Sequence, residues 1–359
     1  MILLNPGPVT LSTRVREALL QPDICHREPE FYALQDRIRA DLLKVYELDP
    51  REWAAILLTG SGTAAVEAMI TSLVPKDGHL LVIENGVYGE RMTKIAATYG
   101  IPHDSLKHTW NDPPDLAALS KKLKQKQIVT HVALAHHETT TGRLNPLREV
   151  QATCAQYGVS VLVDGVSSFG AEAIDFDPGI AVCAATANKC LHGVPGISFA
   201  IVRRSALADS KRPVRSVYLD LSGYCEAQDQ GGTPFTQSVQ VMYALAEALQ
   251  EMQEQGGWQA RHAHYAELMR MVRNGLAQIG IQPLLADGDS SVVLNAFKRP
   301  EHISYETLHD GLKEQGFVIY AGQGALAASI FRVAVMGAIT PGDMARFVAA
   351  AKGLLWPSR

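Results

Sequence analysis

Short apolar runs alternate with amphipathic stretches along the middle of this chain, and the alternation predicts its architecture. Residues 55–59, 80–83, 129–135 and 159–163 read as buried strands, the last ending directly on Asp164, and residues 197–202 read as a further strand pairing with its neighbours. After the first strand, residues 63–74 carry a helical pattern. Unbroken apolar strands separated by helices predict an α/β fold, a mostly parallel sheet flanked by helices. From residue 238 to 279 the pattern is helical, interrupted at Gly256-Gly257. The texture then changes: residues 291–297, 318–320 and 330–335 read as strands among helices, as in a small C-terminal α+β domain. A chain of 359 residues is long for one core. The expected division is an N-terminal segment, 1–20, joining the small domain, a large domain over 21–255 and the small domain over 256–359.

Composition narrows the partners. The formal net charge is -4, and no block of Lys and Arg stands out. That argues against a nucleic-acid or anionic-membrane partner. No apolar stretch is long enough to span a bilayer, and the segment Met1-Ile2-Leu3-Leu4-Asn5-Pro6-Gly7-Pro8 lacks the charged region of a signal peptide. The five cysteines are odd in number and show no Cys-x-x-Cys spacing. Reduced thiols in the cytoplasm are therefore expected rather than a disulfide frame or a zinc site. His136, His137 and His192 lack metal-ligand spacing with carboxylates and read as structural, so no metal is expected.

Three segments carry candidate chemistry. In Thr59-Gly60-Ser61-Gly62-Thr63 a strand gives way to a helix, where free N–H groups, the helix dipole and two hydroxyls favour an anion such as phosphate. Taken alone, a plain strand–helix turn explains it slightly better. Asp164 ends an apolar strand at the carboxyl edge of the sheet, where open α/β folds bind ligands. A carboxylate there can hold a protonated pyridine nitrogen, and it can equally cap the next turn. Lys189 sits in Thr186-Ala187-Asn188-Lys189-Cys190-Leu191-His192-Gly193, flanked by small residues that would let its side chain pivot. A buried lysine near other cations is a usable nucleophile and base, whereas a lone loop lysine is ordinarily solvated. Lys189 follows Asp164 by 25 residues with one strand-length segment between them. The three features, in this order on one sheet, outweigh their separate bland readings.

With these residues the chain resembles the class V aminotransferases of the fold-type I pyridoxal-phosphate enzymes. The resemblance runs from Leu3-Leu4-Asn5-Pro6-Gly7-Pro8 to Phe331-Arg332. Its more specific parts are Asp23-Ile24-Cys25-His26-Arg27-Glu28-Pro29-Glu30-Phe31, Asn85-Gly86-Val87-Tyr88-Gly89-Glu90-Arg91 and His137-Glu138-Thr139-Thr140-Thr141-Gly142. The resemblance implies pyridoxal 5'-phosphate as cofactor, with Lys189 carrying it as a Schiff base and moving protons, and Asp164 pairing with the pyridine nitrogen. Tyr88 would stack on the ring, and Thr139 would reach the ring hydroxyl. Ser61, Gly62 and Thr63 would bind the phosphate with Asn188 and with Thr236 of a second subunit, which implies a homodimer. Arg332 would clamp a substrate carboxylate through its bidentate fork. An arginine in the apolar strand Ile330-Phe331-Arg332-Val333 needs a partner or an incoming anion in any case.

The implied substrates are a small-molecule amino donor and a 2-oxo acid acceptor. Glyoxylate-dependent transamination and pyridoxal-dependent lyase chemistry remain alternatives, because the cofactor supplies the chemistry and the pocket selects the bond. Two segments depart from the family pattern. Gly322-Gln323-Gly324 stands where Pro-Gly-Lys is frequent, and Val333-Ala334-Val335-Met336-Gly337 replaces Ile-Gly-Asn-x-Gly.

Overall fold

The computed structural model describes residues 1–125, 128–176, 179–208 and 213–355. Its centre is a seven-stranded sheet. We number its strands β1 (Trp53–Gly60), β2 (His79–Glu84), β3 (His103–Lys107), β4 (Val129–Ala135), β5 (Ser160–Asp164), β6 (Ile180–Thr186) and β7 (Gly196–Arg203). Their spatial order is β3-β2-β4-β5-β6-β7-β1. All neighbouring pairs are parallel except those of β7, which runs antiparallel to β6 and β1. The sheet is therefore mixed and mostly parallel.

Both faces of this sheet are covered, which explains the unbroken apolar runs. Alternate residues enter different cores. Leu57, Leu81, Leu134, Val163 and Phe199 join one core, with the helix Pro29–Lys44 and the helix Val239–Glu254. Leu58, Leu80, Ala133, Leu162 and Ala200 join the opposite core, with the helix Gly62–Leu73 and the helix Val87–Thr98. A third core lies around a three-stranded antiparallel sheet in which Ile330–Ala334 runs between Leu294–Lys298 and Tyr320–Ala321. Leu4 and Val9 belong to that core, and Ile2–Leu3 pairs in parallel with Phe317–Val318.

The strand-length segment expected between Asp164 and Lys189 contains β6, an alanine-rich run whose side chains enter both cores. The polar strand β3 was not foreseen, because His-Asp-Ser-Leu-Lys at a sheet edge buries little. Residues 318–320 do not form one strand: Phe317–Val318 and Tyr320–Ala321 serve different sheets. The helical region divides into Val239–Glu254 and Gly257–Ala277, with Gly256 in the left-handed conformation at φ 96°. Positions 356–359 of the expected C-terminal unit lie outside the described residues.

Glu172 ties the loop after β5 to the C-terminal strands. Its buried carboxylate accepts from the Ser291 hydroxyl at 2.5 Å and the Val292 N–H at 2.9 Å. His262 Nδ1 lies 3.4 Å from its other oxygen. Hydrogen bonding holds Glu172 below its ordinary value of 4.5 despite the opposing effect of burial, and the Glu172 contact raises His262 above 6.5. The Glu172 contribution to stability is thus present above pH 4.5 and lost as pH falls through its lower folded value. The His262 contribution is complete below pH 6.5 and lost as pH rises through its higher folded value. His262→Ala should therefore destabilise the protein more near about pH 5.5 than near about pH 8.5. Urea midpoints of variant and parent at the two values check this, and an equal difference at both contradicts it.

Candidate active site

The carboxyl ends of the parallel strands deliver the candidate residues to one edge of the sheet. At the end of β1 the chain turns into the helix Gly62–Leu73, with Ser61 as N-cap in extended conformation. The Ser61 side chain makes no capping bond, so its hydroxyl and the N–H groups of Gly62 and Thr63 remain available to a ligand. Only glycine fits at position 62, since a Cβ there would lie 2.9 Å from the Val166 side chain. At the end of β5, Asp164 Oδ1 accepts from the Val166 N–H at 3.0 Å. Its second oxygen takes no protein donor among the described residues.

β6 ends at Thr186, whose hydroxyl holds the Asn188 side-chain oxygen at 2.8 Å and leaves the Asn188 amide as a donor. Lys189 follows, with Gly7 pressed against it: a Cβ on Gly7 would lie 2.9 Å from Nζ. Ser61, Gly62, Thr63, Tyr88, Asn188 and Lys189 line a single cavity of about 510 Å³. Thr236 is exposed and stands outside this cavity.

Burial sets the charge states. Lys189 is lowered from 10.5 to about 8, first by burial, with Arg332 and Arg91 adding to the effect and Cys190 and Asp164 opposing it. Asp164 is raised to about 6 by burial, against the Val166 N–H and the charges of Arg91 and Lys189. His137, which contacts the Ser167 carbonyl through Nδ1 at 2.9 Å, is pushed down to about 4 by burial. It is thus neutral at physiological pH.

Arg332 occupies the middle strand of the C-terminal sheet and is 1% exposed. Its guanidinium donates to the Ala321 carbonyl at 2.8 Å, the Thr139 carbonyl at 2.9 Å and Gln323 Oε1 at 3.1 Å. Among the described residues it forms no ion pair. A buried guanidinium with neutral partners alone is set up to receive an anion. Through the Thr139 carbonyl it also links the C-terminal sheet to the turn that follows β4.

Sequence reasoning missed three participants. Glu138 is fully buried and raised to about 7 by burial. It accepts from the N–H groups of Tyr88 at 3.2 Å and Gly89 at 3.4 Å, and from the Thr140 N–H at 3.1 Å and hydroxyl at 2.5 Å. It therefore fixes the start of the helix that carries Tyr88 to the turn that carries Thr139. Arg91 lines the cavity, its guanidinium carbon 4.8 Å from the centre of the Tyr88 ring. Its position three residues after Tyr88 on a helix was the available signal. Gln323 touches Arg332 from within the Gly322-Gln323-Gly324 departure.

Thr139 Oγ1 is among the buried oxygens without a protein partner, as is the neighbouring Thr141 Oγ1. A pyridine ring with a hydroxyl and a phosphate arm would engage the Thr139 oxygen, the open side of Asp164, the Lys189 amine and the neutral donors of Ser61, Gly62, Thr63 and Asn188. This places the protein among the fold-type I pyridoxal-phosphate enzymes, and pyridoxal 5'-phosphate is its cofactor. The sequence model described as "Aminotransferase class-V" matches residues 21–347, and the chain belongs to that family. It is 38% identical to a 2-aminoethylphosphonate–pyruvate transaminase of Aeromonas hydrophila subsp. hydrophila, over 99% of this chain and 95% of the relative. It is 36% identical to the protein of the same name in Vibrio vulnificus, over 99% and 98%. Among solved structures it is similar to an alanine–glyoxylate aminotransferase from Nostoc sp., with a TM-score of 0.92, 25% identity and coverage of 99% and 95%.

Glu138→Ala should destabilise the protein by about 1–3 kcal/mol for each buried donor left unpaired. Urea denaturation measures this, and a variant as stable as the parent contradicts the anchoring role.

Proposed function

We propose that this aminotransferase transfers the amino group of 2-aminoethylphosphonate to pyruvate, forming phosphonoacetaldehyde and L-alanine. The observation that carries the reading is the unpaired, buried Arg332 fork, joined to the likeness with the full-length relatives described above. The donor has no carboxylate on its amine-bearing carbon, so the protein must recognise it through its phosphonate, while the acceptor offers a carboxylate. A planar fork can take two oxygens from either group.

Bound pyridoxal phosphate supplies the electron sink for the reaction. Lys189 holds the cofactor, and its Nζ takes the proton from the amine-bearing carbon; a pKa near 8 makes it a usable base. Asp164 keeps the ring nitrogen protonated through its open oxygen. Tyr88 would cover one ring face, Thr139 would reach the ring hydroxyl, and Ser61, Gly62, Thr63 and Asn188 would bind the phosphate. Arg332 turns the substrate anion so that the reacting carbon meets Nζ.

A homodimer belongs to the same reading. Thr236 is exposed outside its own cavity, as a residue reaching a neighbour's phosphate would be. Leu20, Val214 and Val217 are 84%, 72% and 83% exposed and suit a covered interface. The cysteines described are all free, in keeping with the cytoplasm. A partner beyond small molecules and a second copy, nucleic acid or membrane, is not part of this reading. Among the described residues no helix is long and apolar enough to cross a membrane.

The purified protein should show a visible absorption band that is absent from Lys189→Ala. In single-turnover mixing, 2-aminoethylphosphonate without pyruvate should bleach that band. Arg332→Ala should lower kcat/KM for both substrates by roughly tenfold to over a hundredfold while leaving the band intact. Bleaching by serine or alanine with no response to 2-aminoethylphosphonate would replace this reading with a glyoxylate-type transaminase. Sedimentation showing a fully active monomer would remove the dimer.

A further inference from the structure

The cofactor's phosphate arm is a dianion near neutral pH, yet the cup assembled from Ser61, Gly62, Thr63 and Asn188 is built of neutral donors. A helix N-terminus contributes a partial charge of roughly half a unit. Two residues with cationic side chains line the cavity, Lys189 and Arg91. The Lys189 amine is committed to the aldehyde end of the cofactor. Arg91 is the remaining standing charge on the cavity wall.

Its placement is defined on two sides. Arg91 Nη1 lies 3.3 Å from Thr63 Oγ1, and the guanidinium carbon sits 4.8 Å from the Tyr88 ring centre. A guanidinium can only donate, so the Thr63 hydroxyl accepts this bond and keeps its own proton for another acceptor. Among the described residues no carboxylate forms an ion pair with Arg91, which leaves further N–H groups of the fork without an acidic partner.

We propose that Arg91 is an anchoring residue of the phosphate cup: it supplies the permanent positive charge for the cofactor's phosphate and, through Thr63, turns a hydroxyl proton toward it. The inference rests on the cofactor and is independent of which amino donor the enzyme uses. Arg91 touches both Thr63 and Tyr88, so one side chain bridges the cup and the aromatic. A lysine at this position would keep the charge but lose the rigid fork.

Apoprotein titrated with pyridoxal 5'-phosphate and, separately, with pyridoxal tests this directly, because the ligands differ only in the phosphate. Arg91→Gln should weaken binding of the phosphorylated form by roughly tenfold to a hundredfold, the span of a charge-assisted hydrogen bond. It should leave pyridoxal binding unchanged, and Arg91→Lys should recover part of the loss. Equal affinities of Arg91→Gln and parent for both ligands overturn the proposal, as does an equal loss for both. An unchanged cofactor affinity with a raised KM for the amino donor also overturns it, by assigning Arg91 to the substrate. Should Arg91→Gln fail to fold, the same comparison on Arg91→Met, which also removes the charge, decides: a deficit for the phosphorylated ligand alone supports the proposal, and no such deficit refutes it.

Discussion

Charges held out of water without full pairing are the constraint around which this site is organised. Lys189 lines the cavity, Asp164 and Arg332 act on its charge and Glu138 acts on theirs, and burial penalises the charged form of each. The protein tolerates this by distributing partial compensation. Asp164 and Lys189 favour each other's charged forms, backbone N–H groups satisfy Glu138, and carbonyl oxygens hold Arg332. What is left over is an amine poised near neutrality, an aspartate oxygen without a donor and a guanidinium without an acid. Each is a demand for a ligand atom of opposite character.

The sheet makes this arrangement possible. Its parallel strands end at Gly60, Glu84, Ala135, Asp164 and Thr186, so the residues following them meet at one edge although they are far apart in sequence. The reversed strand β7 places Gly196 opposite Gly60, which closes the cup with a residue that has no side chain to intrude. Arg332 arrives from a different sheet, and its bond to the Thr139 carbonyl ties that sheet to the turn after β4. Glu172 makes a second tie of this kind through Ser291 and Val292.

Much of this was legible in the chain because burial on both faces writes itself as unbroken apolar runs. Strands β1, β4 and β5 announce themselves in that way, and Asp164 stands out against its run for the same reason. β3 was illegible, since an edge strand needs no apolar face. Lys189, Asp164 and the glycine turn could be read because order and spacing relate them. Glu138 could not, because the amides it anchors on Tyr88 and Gly89 lie about fifty residues upstream, and its local partner Thr140 does not distinguish an anchoring carboxylate from a turn-capping one. Gln323 was visible as a departure in sequence, but its contact with Arg332 depends on a fold of the loop that no periodicity records.

The protein itself lowers the basicity of Lys189 before any cofactor is attached, chiefly by burying the amine. An NMR titration of the lysine side-chain signals in the cofactor-free protein, with Lys189→Ala to assign the resonance, measures this. The Lys189 midpoint should fall near 8. A midpoint at the ordinary 10.5 would contradict it.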